Sequence, residues 1–227
     1  MPEPLIPAVG WGVLHLFCKL GSLTDGEAVT AAVKAAEADE VQVVPAAILG
    51  HKADVAFMAL GTDLWRLRQL QSELTAAGLD VVDSYVSLTE LSEYSQGVPD
   101  ELKEARLHPQ LPPDGKSAFC FYPMSKRRGD VSNWFTLPFD DRRELMYAHG
   151  TSGRKFAGRV LQVITGSTGM DDFEWGVTLF AVHPDDLKEV VYTMRFDEAS
   201  ALYAEFGPFY AGMVAPLGEV LGALGLT

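Results

Sequence analysis

The sequence predicts an α+β fold made of two tandem β-α-β-β-α-β units. Three observations carry that prediction. Strand and helix patterns follow this order from residue 11 to residue 88. A stretch rich in Pro, Glu and Asp interrupts at 89–116. The same order restarts at residue 118 and closes near residue 215. Units of this order are ferredoxin-like, and two such sheets can pack face to face or close on themselves. The expectation is a dimeric α+β barrel within one chain. Its first half covers residues 1–100, a connecting loop covers 101–116, and its second half covers 117–227.

WGVLHLFCKL (11–20) predicts the first strand, and the Ala- and Glu-rich run from Ser22 to Glu40 the first helix. VQVVPAAIL (41–49) and ADVAFMALG (53–61) flank a GHK turn and predict a hairpin. Pro45 places the first of these strands at an edge or a bulge, because proline brings no N–H to a ladder. Leu64, Leu67, Leu70 and Leu74 share one face of a helix that opens at Asp63. LDVVDSYVSL (79–88) closes the half as a strand. In the second half AFCFYPMS (118–125) is a strand. A helix is expected to open at Asp141, with Glu144 as capping-box partner, and to end at Gly150. FAGRVLQVITGS (156–167) and FEWGVTLFAV (173–182) predict a second hairpin. Pro184 suits the first position of a helix carrying Leu187, Val190, Val191 and Met194. FGPFYAGMVA (206–215) predicts the last strand, with a C-terminal helix after it.

Of the 227 residues, 48% are hydrophobic and 22% charged, an ordinary globular composition. The formal net charge of -13 opposes binding to nucleic acid or to an anionic membrane. The one dense basic run, Lys126, Arg127 and Arg128, fits a solvated turn. Cys18 and Cys120 lie in apolar stretches without a cysteine neighbour, which predicts buried thiols rather than a redox pair or a zinc site. The first residues show no charged-then-apolar leader and no run is long enough to span a bilayer, so the cytoplasm is the expected location.

Alternation along 119–126 puts Cys120, Tyr122, Met124 and Lys126 on one face, and Phe119, Phe121, Pro123 and Ser125 on the other. Spacing alone fits an ordinary strand end better than a pocket, with Tyr122 in the core and Lys126 reaching solvent. His149 shares a helix face with Leu145 and Met146 and points inward. A neutral imidazole is a good iron ligand, although the pattern by itself favours a histidine that merely sits at a helix end. Gln162 shares a strand face with Val160 and Ile164; a buried amide there marks a ligand contact or a local hydrogen bond. Arg106 and His108 fall in the connecting stretch.

FYPMSKRR (121–128), NWF (133–135), AHGTSGR (148–154), QVITGSTGMDDFEWGVTLFA (162–181) and MRFDEASALYAEFGPFYAG (194–212) together resemble the coproheme decarboxylase branch of the chlorite dismutase family. The resemblance is dense from Phe119 to Gly212. In the first half it is carried by the order of elements and by SYVSLTEL (84–91). It implies that the second half holds a porphyrin site. The substrate is iron coproporphyrin III (coproheme), which is also the redox centre, and no separate metal is involved. Hydrogen peroxide is the oxidant and haem b the product, formed through a three-propionate intermediate. The resemblance further implies a homopentamer and transient contact with a ferrochelatase. By matching motif, His149 is the axial iron ligand and Tyr122 the radical-forming residue. Lys126 and Met124 contact the reacting side, with Pro123 and Ser125 beside them in the same motif. Arg106, Arg154 and Ser200 hold propionates, an arginine fork matching a carboxylate with two parallel hydrogen bonds. Gln162 lies on the distal side, where chlorite-decomposing relatives carry arginine, and His108 is the distal base toward peroxide. Two other functions compete: a haem-binding or haem-transfer protein without turnover, and a haem enzyme that consumes peroxide or chlorite. Gln162 argues against the chlorite chemistry, and the retained Tyr122 and Lys126 argue against mere binding.

Overall fold

The computed structural model describes residues 2–226. The first unit runs β1 (Gly12–Leu20), α1 (Gly26–Ala38), β2 (Gln42–Ile48), β3 (Val55–Gly61), α2 (Leu64–Ala76) and β4 (Leu79–Thr89). After α3 (Asp100–Leu107), the second runs β5 (Ala118–Lys126), α4 (Phe139–Arg154), β6 (Val160–Gly166), β7 (Trp175–Ala181) and α5 (Pro184–Met194). It ends with α6 (Glu198–Ala201), β8 (Ala204–Phe206), β9 (Tyr210–Val214) and α7 (Leu217–Ala223). Every strand pair is antiparallel.

The first sheet has the order β4-β1-β3-β2, and the second has β6-β7-β5, with β9 and β8 in succession along the free side of β5. The sheets join at both margins. Leu88 and Thr89 of β4 pair with Gly166 and Thr165 of β6, and residues 46–48 of β2 pair with 212–214 of β9. With β5 on β7, eight strands close a ring and leave no long free edge. The second seam needs Gly212: a Cβ there would overlap the Ala47 carbonyl.

Closure creates three cores. The barrel interior draws Val13, Phe17, Met58, Tyr85, Phe121, Phe180 and Tyr210 from strands of both halves. Outside the first sheet, Leu67, Leu70 and Leu74 of α2 and Val29 and Val33 of α1 cover Leu14, Leu16 and Phe57; each fully buried leucine there contributes about 1.5–3 kcal/mol. Outside the second sheet, Cys120, Tyr122, Phe156, Val177, Leu179 and Val190 form the third core. Tyr122 and Phe121 therefore lie in different cores, as strand alternation requires. The barrel interior also holds polar pairs, with His15 Nε2 2.9 Å from Thr178 Oγ1 and Ser87 Oγ donating to Thr165 Oγ1 at 2.8 Å. Burial pushes the His15 imidazole down to about 3.

Several element limits differ from expectation. Helix α1 opens at Gly26, not Ser22, because the Asp25 carboxylate accepts from the Glu27 and Ala28 N–H groups and caps it. Helix α4 opens at Phe139 after Pro138, and Asp140 and Asp141 face the positive end of its dipole in place of a capping box. It runs through Gly150 to Arg154, although each interior glycine costs about 1 kcal/mol relative to alanine. The connecting stretch contains α3, which makes His108 a helix C-cap. The last strand breaks at residues 207–209 into β8 and β9. Strand β2 is interior, not an edge. Ile48 N–H points to β3 and Leu49 N–H to β9, so alternation turns the Pro45 nitrogen toward β9, where pairing starts only at Ala46. Proline forfeits no ladder bond there.

Candidate active site

The third core is where the chemistry-bearing residues meet. On β5, Tyr122 is buried, its ring stacked on Phe209 at 4.5 Å and edge-on to Phe206 at 5.7 Å. Burial raises its phenol well above the usual range, Cys120 adding to the effect and Arg195 opposing it. No hydrogen bond from a described residue reaches its oxygen. Two residues on, Met124 is half-buried. Lys126 is buried, with Nζ donating to the Ala199 carbonyl at 2.7 Å and lying 4.2 Å from the Trp134 ring centroid. Burial brings its ammonium down to about 8, and the Glu174 carboxylate resists that shift.

His149 stands in the third turn of α4, with Nδ1 3.0 Å from Asp197 Oδ2. Asp197 Oδ1 accepts from Ser152 Oγ at 2.8 Å, one turn further along α4. A carboxylate on Nδ1 sets the tautomer that leaves Nε2 with its lone pair, the usual outer support of a metal-bound histidine. Burial lowers the imidazole pKa, the Lys126 charge adds to that, and Asp197 opposes both. Burial thus favours the neutral imidazole, the form able to ligate a metal. Among the described residues no three His, Cys, Asp or Glu side chains converge as a metal cage. A lone imidazole of this kind could serve as one donor to iron already chelated by a macrocycle.

Helix α4 buries little of itself against the sheet. Only Ser152 of the sixteen α4 residues is buried, whereas α1 buries four residues and α2 three. Ile164, on the helix-facing side of β6, stays 51% exposed. Beneath α4, Gln162 Nε2 has only the soft Met194 Sδ as partner, at 3.7 Å. A Cβ at Gly153 would meet Met194 Cε at 3.5 Å and that amide at 3.6 Å, both ordinary van der Waals distances. Two concavities lie elsewhere, about 400 Å³ at the β4–β6 seam and about 200 Å³ beside Tyr85 and Tyr210. Neither contains His149.

Helix α6 and the turn before it gather these groups. Asp197 holds His149, Ala199 holds Lys126, and Ser200 follows, its N–H on the Asp197 carbonyl at 2.9 Å. His149, Lys126, Tyr122, Met124, Gln162 and Ser200 therefore belong to one region. Pro123 and Ser125 face the other side of β5; the Pro123 carbonyl accepts from Gly207 N–H, and Ser125 Oγ accepts from Glu174 N–H. Arg154 is exposed and folds along α4 onto Thr151 Oγ1 at 2.5 Å and over Tyr147, away from His149. Arg106 is exposed on α3 and reaches Ser95. His108 pairs with Glu104 at 2.5 Å and packs edge-on to Trp11. The structure does not bring Arg154, Arg106 or His108 to Tyr122. Sequence reasoning passed over Asp197, Trp134 and Arg195, whose guanidinium lies 5.4 Å from the Phe206 ring centroid. The available signal was their position inside NWF and MRFDEAS.

The comparisons with known proteins bear on the family and the fold. A coproheme decarboxylase of Staphylococcus carnosus is 46% identical over 74% of this chain and 71% of its own length. That of Staphylococcus saprophyticus is likewise 46% identical, over 74% of this chain and 70% of its own. A Natronomonas pharaonis protein named as heme-binding is 40% identical over 93% of this chain, which spans only 40% of that protein's length. A heme-binding protein from Thermus thermophilus superposes with a TM-score of 0.87 at 37% identity, covering 100% of this chain and 99% of that one. A mutant chlorite dismutase from Candidatus Nitrospira defluvii shares the fold at a TM-score of 0.75 and 18% identity, over 96% of each chain. The chlorite dismutase profile matches residues 24–215, and the chain belongs to the chlorite dismutase family.

Proposed function

We propose that the protein decarboxylates coproheme with hydrogen peroxide, turning two propionates into vinyl groups to give haem b through a three-propionate intermediate. The observation that carries this reading is the juxtaposition made by α6: a histidine with a free Nε2, a buried lysine and a buried tyrosine on one side of one sheet. The curated relatives named as coproheme decarboxylases support it. In each turnover one propionic acid group and one peroxide become a vinyl group, carbon dioxide and two waters.

When bound, the iron porphyrin supplies the one-electron oxidising power that peroxide charges. The chain's residues do the rest. His149 Nε2 would hold the iron; Asp197 orients the imidazole, while burial and the Lys126 charge favour its neutral form. The Lys126 ammonium, Ser200 and Arg195 hold carboxylates, Lys126 as a point charge and Arg195 as a fork. Tyr122 keeps its O–H at neutral pH, as a phenol ordinarily does, and burial raises its pKa further. It can therefore give up a proton and an electron together, and then take hydrogen from the propionate. Met124 and Gln162 would contact the porphyrin beneath α4. His108 and Arg106 join the site only if α3 and its flanking loops shift toward it, with His108 then serving as base toward peroxide, and Arg154 only if its side chain swings inward.

The test is to add coproheme and limiting peroxide and follow mass. Successive loss of two carboxyl groups supports the reading. Tight binding without mass change would instead establish a haem-binding or haem-transfer protein; the names of the Natronomonas and Thermus relatives say heme-binding. We further propose a cytoplasmic homopentamer that receives substrate from a ferrochelatase. Sedimentation at micromolar concentration checks the assembly, and a stable monomer would refute it. Among the described residues no helix is long and apolar enough to cross a membrane.

A further inference from the structure

Glu174 is a buried carboxylate for which the reaction described above has no use. It closes the turn that leads into β7 and is 6% exposed. Its Oε2 accepts the Lys126 backbone N–H at 2.8 Å, and its Oε1 accepts from Arg128. Its own N–H donates to the Met124 carbonyl at 3.1 Å and to Ser125 Oγ at 3.2 Å. Its carbonyl accepts from Ser167 N–H at 2.8 Å. One residue thus ties the end of β5 to the β6–β7 turn at the very positions that carry Met124 and Lys126.

Burying a carboxylate is costly unless it is paired, and its partner Arg128 is 64% exposed at the side chain. A serine or an asparagine could tie two backbones with less desolvation. The carboxylate charge pairs with Arg128, and it also acts on a second cation. The Lys126 ammonium is the nearby group that gains from it: among the described residues no carboxylate forms an ion pair with that ammonium, and Glu174 offsets the effect of its burial. The manner of contact matters. Glu174 binds the Lys126 backbone and leaves the ammonium alone. An ammonium has three donors; the Ala199 carbonyl takes one, and the ammonium also lies over the face of Trp134. At least one N–H stays available to a ligand carboxylate, with the counter-charge close by but not competing for it.

We infer that Glu174 is a positioning residue: it holds the end of β5 and supports the Lys126 charge so that the ammonium is presented to a substrate carboxylate. This rests on the proposed role of Lys126 as a carboxylate anchor. The test is a double-mutant cycle in coproheme affinity, read from the Soret band, with Glu174→Gln, Glu174→Ala, Lys126→Met and the double variants. Glu174→Gln keeps shape and the backbone acceptor but drops the charge; Glu174→Ala drops both. Alone, Glu174→Ala is expected to weaken binding about tenfold and Glu174→Gln by less. With Lys126→Met already present, either change is expected to alter affinity less than about twofold, because the two residues act as one unit. The His149-ligated band position is expected to stay the same throughout, which a general loosening of the sheet would not allow. If Glu174→Ala does not fold, the isosteric Glu174→Gln carries the cycle. Additive effects in a protein that binds and converts coproheme overturn this inference alone. Wild-type protein that neither binds nor converts coproheme overturns the functional reading and this inference with it.

Discussion

Replacing Tyr122 by phenylalanine separates chemistry from folding, because the structure says what each should lose. The ring makes the packing contacts, stacked on Phe209 and edge-on to Phe206, and phenylalanine keeps both. The hydroxyl has no hydrogen-bond partner among the described residues. Removing a hydroxyl that no described residue hydrogen-bonds leaves no orphaned partner behind, so the stability change should stay within about 1 kcal/mol of zero. For a chain of this size that is a shift of about 2–4 °C in Tm. His149, Asp197 and Lys126 do not touch the lost oxygen, so coproheme binding and histidine ligation should persist. What disappears is the only O–H on this strand face able to lose a proton and an electron together. The Phe variant should react with peroxide yet form neither the three-propionate intermediate nor haem b. Thermal melting, a Soret titration and product mass under limiting peroxide form the assay. A wild-type yield of haem b would refute the role of Tyr122 even with fold and ligation intact. A Tm lowered by about 10 °C, well beyond the shift expected for so small a change in stability, would refute the packing argument.

Asp197→Ala removes the acceptor on His149 Nδ1. It should weaken iron-porphyrin affinity about 10–100-fold, as loss of an outer-shell partner does, and lower the iron–histidine stretch in Raman spectra. The pH dependence of Lys126 has two opposite signs. With its folded pKa lowered from 10.5 to about 8, the ammonium is present below about pH 8, so coproheme affinity should fall as pH rises through 8. Lys126→Arg, whose guanidinium stays charged, should abolish that fall. Over the same range, from about 8 to 10.5, the unfolded chain holds the proton and the folded chain does not, so this residue's contribution to stability should rise with pH. His15 works at the acid end: its imidazole takes a proton at 6.5 when unfolded and only at about 3 in the barrel. Its contribution to stability is lost as pH falls below 6.5, by about 2 kcal/mol at pH 5. Denaturant titrations at pH 7 and pH 5 should show the drop, and His15→Leu should flatten it.

Periodicity alone carried the order of elements, since β and α patterns repeat at about 2.0 and 3.6 residues whatever lies around them. For the same reason the two faces of β5 were legible, and Tyr122, Met124 and Lys126 do share the helix side. Limits were less so. Asp25 and Pro138 decide where α1 and α4 begin, and several capping residues compete near each end. Helix α3 buries no residue, so it leaves no apolar stripe to read. The active-site motifs could be recognised as a resemblance, but not by spacing: His149, Lys126 and Tyr122 are far apart in sequence, and nothing local joins them.

What the chain's own order of residues determined is which residues face the same way within one strand or helix. Only the tertiary structure decided which of those faces meet. Closure of the two sheets at Thr89–Thr165 and Ala46–Val214 sends Phe121 into the barrel and Tyr122 out to the helices. The turn before α6 then places Asp197 on His149, and α6 places Ala199 on Lys126, across 48 and 73 residues of chain. That closure also leaves Arg154, Arg106 and His108 with partners of their own. Side-chain direction is a local property fixed by backbone geometry. Convergence is a property of packing, in which apolar burial selects one mutual arrangement of elements and the polar groups must find partners within it.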